Sequence, residues 1–275
     1  MSTRTQRPGA DPFTERTPRV AAARALTRRA GRDKAGRFLV EGAQAVREAL
    51  AHGRVHELFV TETGSARNAE LLDTAAALGV VLSPVTDKAA AGLSETVTPQ
   101  GVVAVCDLLD RPLADALPAG SRLVAVLVGV SDPGNAGTVT RVADAAGAQA
   151  VLFAGDTVDP HNGKCVRAST GSVFHLPLAR SRDTAAVFAA CRAAGLRLVA
   201  ADGHAATDLD QAVDAGALSA PTAWVFGSEA HGLPADLLSE MDEVVKVPLH
   251  GKAESLNLAT AAAVCLYASA REQRR

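Results

Sequence analysis

Three short polar clusters in this 275-residue chain hold side chains that could do chemistry. The first runs from Gly129 to Arg141 and carries Asn135, Gly137 and Arg141. The second is Gly227-Ser228-Glu229-Ala230-His231-Gly232-Leu233, and the third is Pro248-Leu249-His250-Gly251 followed by Ser255-Leu256-Asn257. A carboxylate between two glycines at a strand end is hard to explain as packing, because glycine permits close backbone approach or positive φ. Glu229 can accept from a ligand, anchor an arginine, or face solvent in an ordinary strand-to-helix turn. If Asn135 caps a helix, Arg141 lies almost two turns in. Its side chain can reach back toward the strand end, since helical side chains lean N-terminally. The plainer alternative is a capping Asn and a surface Arg. Capping is also the plain role of Ser255 and Asn257, where the last helix begins. No G-x-G-x-x-G frame fits the first cluster and no Gly-Lys-Ser/Thr follows it, so neither a dinucleotide fingerprint nor a P-loop is present. The seven histidines form no metal cluster, no pair among the four cysteines has metal-ligand spacing, and no metal is expected.

Each cluster needs an element to hold it. Residues 123–130 form an unbroken aliphatic run, the mark of a buried parallel strand. Helices over 136–146, 164–172, 183–194 and 257–272 then alternate with strands over 150–154, 173–178, 196–201, 222–226 and 244–249. That alternation implies an α/β fold, a mostly parallel sheet covered on both faces. A smaller α/β domain precedes it. Its first helix opens at Thr17-Pro18, and its strands are expected over 36–42, 55–60, 80–85 and 101–106. The chain thus divides into a disordered basic tail over 1–16, a small domain over 17–107, a linker over 108–121 marked by Pro112, Pro118 and Gly120, and a large domain over 122–275.

Composition sets the outer limits. A hydrophobic fraction of 48% with 21% charged residues describes a globular chain, and 3% aromatics make its core aliphatic. The net charge of −2 hides an asymmetry. Residues 1–37 carry ten basic side chains against Asp11, Glu15 and Asp33, a net +7, so the remainder carries −9. A basic arm on an acidic body points to a polyanion partner. There is no apolar run long enough to span a membrane and no signal-like leader, so a cytoplasmic protein is expected.

Taken in order, the three clusters resemble the motifs of the SpoU (TrmH-like) 2′-O-ribose RNA methyltransferases of the SPOUT superfamily. The matching positions are Asn135, Gly137 and Arg141; Gly227, Glu229, Gly232 and Leu233; and Pro248, Leu249, Ser255, Leu256 and Asn257. Leu249 and Thr260 are mild departures, since members often carry Met and Ser there. Arg167-Ala168-Ser169-Thr170-Gly171-Ser172 looks like the intervening element of that family. Phe38-Leu39-Val40-Glu41-Gly42 and Thr98-Pro99-Gln100-Gly101-Val102 look like the ribosomal-protein-type RNA-binding domain attached to many members. The resemblance implies a C-terminal trefoil knot, against the default expectation of no knot. It also implies a homodimer and S-adenosylmethionine held by backbone near Gly227, Val247, Leu249 and Leu256. Arg141 would then be the catalytic residue. A guanidinium is not a base at neutral pH, so it would orient the ribose and stabilise developing alkoxide charge, with an RNA phosphate or an Arg141 polarised in the complex taking the proton. Asn135 would hold the RNA backbone, Glu229 and Asn257 would orient Arg141 and Asn135, and Ser255 would lie close to the reacting centre. The implied activity is 2′-O-ribose methylation of a structured RNA, with ribosomal RNA favoured by the separate first domain and the basic arm. Three other readings compete: a tRNA 2′-O-methyltransferase, a noncatalytic RNA-binding or ribosome-assembly factor of the same fold, and an α/β nucleotide-binding oxidoreductase. The last lacks its glycine fingerprint.

Overall fold

The computed structural model describes residues 11–96 and 98–275. They form two compact units. One runs through Leu109 and regains the chain at His161–Phe174; the other comprises Asp110–Pro160 and His175–Arg275.

The first unit holds strands β1 Arg37–Glu41, β2 Val55–Val60, β3 Val81–Pro84 and β4 Val102–Asp107 in the order β1-β4-β2-β3. β4 pairs antiparallel with both neighbours, whereas β2 and β3 run parallel. The first five residues of β4, Val-Val-Ala-Val-Cys, are all buried, as a central strand covered on both faces requires. Thr17 precedes the Pro18–Ala25 helix with proline in its first turn, although the threonine side chain makes no capping bond. Buried Arg32 donates to the carbonyls of Leu26 and Thr27, both at 3.0 Å, and so closes the end of that helix. Residues 1–10 of the expected tail lie outside the described residues. Within 11–16, Phe13 exchanges backbone hydrogen bonds with Pro84 and Thr86 and lies alongside β3.

Residues 161–174 complete this unit's core. His161, 1% exposed, sets its ring edge-on to Phe38 at 4.7 Å and accepts from the Leu109 amide at 3.0 Å. Phe174 stacks on the same Phe38 at 6.0 Å. The apolar run at 173–178 therefore does not form the expected strand. Ser172–Phe174 is a 3₁₀ turn that buries Val173 and Phe174, and the next strand starts only at Leu178.

The second unit is a seven-stranded sheet: β5 Leu123–Val128, β6 Ala150–Ala154, β7 Leu178–Ser181, β8 Arg197–Ala201, β9 Thr207–Asp208, β10 Thr222–Phe226 and β11 Glu243–Lys246. The order is β7-β6-β5-β10-β8-β11-β9, and every pairing is parallel. β5, β6 and β10 are buried throughout. From Asp110 the expected linker belongs to this unit: the Arg111 amide bonds the Leu178 carbonyl, and a short helix, Leu113–Ala116, buries Ala116. Trp224 of β10 is wholly buried and donates its indole N–H to Ser269 Oγ at 2.8 Å, tying the central strand to the Leu258–Glu272 helix. All four cysteines are buried and outside any disulfide, and burial pushes the Cys191 and Cys265 thiols up to about 12. All four are core residues, and the raised thiols of Cys106, Cys191 and Cys265 stay protonated at neutral pH. Among the described residues, no helix is long and apolar enough to cross a membrane.

Candidate active site

In a parallel sheet, ligands bind outside the carboxyl ends of the strands. Here the loop after β5 enters the Pro133–Ala146 helix. Buried Thr157 braces its start, accepting from the Gly129 amide at 2.8 Å, where Gly129 takes φ +64°. The helix is capped by Asp132, whose carboxylate accepts from the Asn135 amide at 2.8 Å, and Pro133 opens the first turn. Asn135 is thus not the cap, and its side chain is left for other work.

That side chain joins the three clusters. Glu229 Oε1 accepts from Asn135 Nδ2 at 3.0 Å and from the Asp132 amide at 3.2 Å. Its Oε2 accepts from the amide and hydroxyl of Ser131 at 3.2 and 3.3 Å. On the other side, Asn257 Nδ2 donates to Asn135 Oδ1 at 3.0 Å. Asn257 Oδ1 is engaged by the amides of Ala259 and Thr260, so it caps the last helix while its other end holds Asn135. The amide orientations follow by elimination, because a carboxylate only accepts and backbone N–H groups only donate. Desolvation pushes the Glu229 carboxyl up. Hydrogen bonds from the Asn135 side chain, its own backbone and the amides of Ser131 and Asp132 outweigh that, and the pKa lies below its ordinary value. Glu229 is accordingly an anion at neutral pH, committed to positioning rather than proton transfer.

The two helices run side by side in the same direction. Asn135 meets Asn257 at their N-terminal ends, and Arg274 donates to the Ala146 carbonyl at 2.9 Å at their C-terminal ends. Both N-termini therefore reach the same end of the sheet, a favourable setting for negative charge. Arg141 is an exposed residue of the first of these helices. Six residues on from Asn135, it lies about 9 Å farther along the axis and on a different face. Glu229 and Asn257 thus both bond the Asn135 side chain, and the bonds given above to Glu229 come from residues 131–135 rather than from Arg141. Ser131, Asp132 and Thr157 are further positioning residues that spacing did not single out.

The loop after β10 closes on itself. Ser228 and Gly232 exchange backbone hydrogen bonds at 3.0 and 2.9 Å, and a Cβ on Gly227 would stand 2.2 Å from the Gly232 carbonyl carbon. Only glycine fits there. After β11, residues 249–257 are all exposed, Leu249 at 40% and Leu256 at 36%. Among the described residues, no backbone N–H of 249–256 donates within the chain. Val247 is half-buried and Ser255 exposed. Apolar side chains beside unspent peptide groups are the donor set that a backbone-held S-adenosylmethionine needs, so these residues fit the group the resemblance implies.

Comparison with known proteins bears on this arrangement. Residues 122–267 match the model of the SpoU rRNA Methylase family, and residues 17–104 match that of an MRM3-like substrate binding domain. The chain is 36% identical over 240 residues to the 23S rRNA (guanosine(2553)-2′-O)-methyltransferase RlmP of Bacillus subtilis, covering 86% of this chain and 89% of that one. It is 33% identical to a 23S rRNA (uridine(2479)-2′-O)-methyltransferase of Streptomyces viridochromogenes, covering 97% and 94%. The crystal structure of an AdoMet-bound rRNA methyltransferase from Sinorhizobium meliloti superposes with a TM-score of 0.80 at 31% identity, covering 95% and 97%.

Proposed function

The chain belongs to the SpoU rRNA methylase family, and from that premise we propose that it catalyses S-adenosylmethionine-dependent 2′-O-ribose methylation of ribosomal RNA. The observation that carries this reading is the bonded series Glu229–Asn135–Asn257, which fixes one amide between the two candidate donor loops. Such a site positions a ligand and does not activate a nucleophile of its own. Bound S-adenosylmethionine supplies an electrophilic methyl group on a sulfonium. Methyl transfer to a ribose 2′-OH then depends on alignment and on stabilising the alkoxide as its proton leaves. Asn135 keeps one N–H and one lone pair unspent for the RNA backbone. Arg141 orients the ribose and its phosphate and offsets the developing charge. Gly227, Val247, Leu249 and Leu256 hold the methyl donor, with Ser255 beside the reacting centre.

Arg141 lies on a different helix face from Asn135, which favours a site completed by a second copy of the chain. The exposed side chains of Val264 and Tyr267, one turn apart on the last helix, are an apolar surface for such a homodimer. We place the activity in the cytoplasm, assign RNA binding to the unit that contains residues 17–104, and take residues 247–257 to be threaded in a trefoil knot. Arg141→Ala should keep S-adenosylmethionine binding by calorimetry close to wild type and lower methyl incorporation into ribosomal RNA by at least ~10²-fold. Wild-type turnover in that variant would remove Arg141 from the chemistry.

A further inference from the structure

The first unit contains a cavity of about 230 Å³ at the C-terminal end of β1, lined by none of the residues of the candidate active site. Its polar lining comes from three stretches: Gln44 after β1, Thr96, Thr98 and Gln100 before β4, and Arg167 and Thr170 from the 161–174 segment. The cavity is built rather than incidental. At its floor, Glu41 Oε1 accepts from the hydroxyls of Ser94 and Thr96, and Glu41 Oε2 pairs with Arg167 at 3.2 Å. Gln100 Oε1 accepts from the Ala43 amide at 3.1 Å, which holds the 98–100 loop against the start of the next helix. Thr170, at φ +51°, is the only non-glycine residue with positive φ among the described residues. A β-branched side chain is disfavoured in that region, and such conformations cluster at binding sites.

The one guanidinium of the lining is already matched. Arg167 pairs with Glu41 at 3.2 Å and has Glu95 at 3.9 Å, so the cavity is not an anion sink. What it offers is side-chain amide and hydroxyl groups, which both donate and accept. That matches an uncharged heterocycle whose edge alternates donors and acceptors. We propose that this cavity receives the nucleobase of an unpaired nucleotide in the RNA substrate, its phosphates remaining outside, so that the first unit selects a loop or bulge rather than duplex. Sequence-specific RNA recognition favours unstacked bases of this kind, because the grooves of paired RNA hide their edges. The inference rests on the ribosomal RNA reading above.

The test uses the full-length protein and two RNAs of equal length, a hairpin with an unpaired loop and a fully paired duplex. Gln44 and Thr98 are exposed, so the Gln44→Ala/Thr98→Ala double variant should melt like wild type. It should bind the hairpin about tenfold more weakly, the loss of one or two net hydrogen bonds. Duplex affinity and the slope of log K against log salt should not move, since no phosphate contact is lost. S-adenosylmethionine affinity should also be unchanged. Equal affinity of variant and wild type for the hairpin overturns the proposal, as does an equal loss on both RNAs. A wild-type protein that binds neither RNA would instead sink the underlying reading. Arg167→Gln provides a second arm. If it folds and lowers the salt slope by about one, Arg167 contacts phosphate and the base-pocket assignment fails.

Discussion

Asn135 has four hydrogen-bonding sites, and the protein occupies two of them with partners that cannot exchange roles. The remaining N–H and lone pair therefore point in fixed directions before any ligand arrives. This fixation depends on Glu229 being an anion. In Glu229→Gln the new amide group would face the N–H groups of Ser131, Asp132 or Asn135, leaving at least one donor unsatisfied. At about 1–3 kcal/mol for such a group, methyl transfer should slow roughly 5- to 150-fold. The pH dependence has a definite sign. Because the folded-state pKa is depressed, the stabilisation is complete above the unfolded carboxylate value of about 4.3 and is lost as pH falls through the folded value. The wild-type rate should carry an acid limb below the usual carboxylate range, and Glu229→Gln should lack it. A limb that persists in the variant assigns it to another group.

The Pro133–Ala146 helix brings a cap and the proposed RNA-contacting residue, Asn135, within one turn. Asp132→Ala should cost about 1 kcal/mol in urea unfolding, whereas Asn135→Ala should cost less, because the cap survives it. The reverse order would mean that Asn135 is the cap after all. Much at this level is legible in the chain. The aliphatic run of β5 announces a buried strand, whereas the sequence reading weighs Asn135 as the cap and passes over Asp132-Pro133, a cap followed by a first-turn proline. The contacts that make the site are not legible locally, since Asn135 meets partners 94 and 122 residues away. Only the family spacing links those positions. The sheet edges also escape pattern reading. β7 ends in Arg180 and Ser181, half-polar as an edge allows, and β9 has two residues, too few for any period. The Glu62–Arg67 helix is obscured by Gly64, which is there because a Cβ would stand 2.3 Å from the Gly101 carbonyl oxygen.

At the scale of the molecule, the homodimer reading makes a direct demand. Tyr267→Glu combined with Val264→Glu should leave the fold intact, since both side chains are exposed, and should shift sedimentation from dimer to monomer with loss of methyl transfer. A monomeric wild type would end that reading. The composition of the first unit has a consequence of a different kind. Its core includes His161 and Phe174, both packed on Phe38, which the chain reaches only after building β5 and β6. During synthesis the unit cannot close when residue 109 leaves the ribosome. It must wait for residue 174, holding the Phe38 ring open while the first strands of the larger sheet emerge. A fragment that stops at residue 109 should therefore lack part of this packing, and its thermal unfolding should be less cooperative than that of the unit in the full chain.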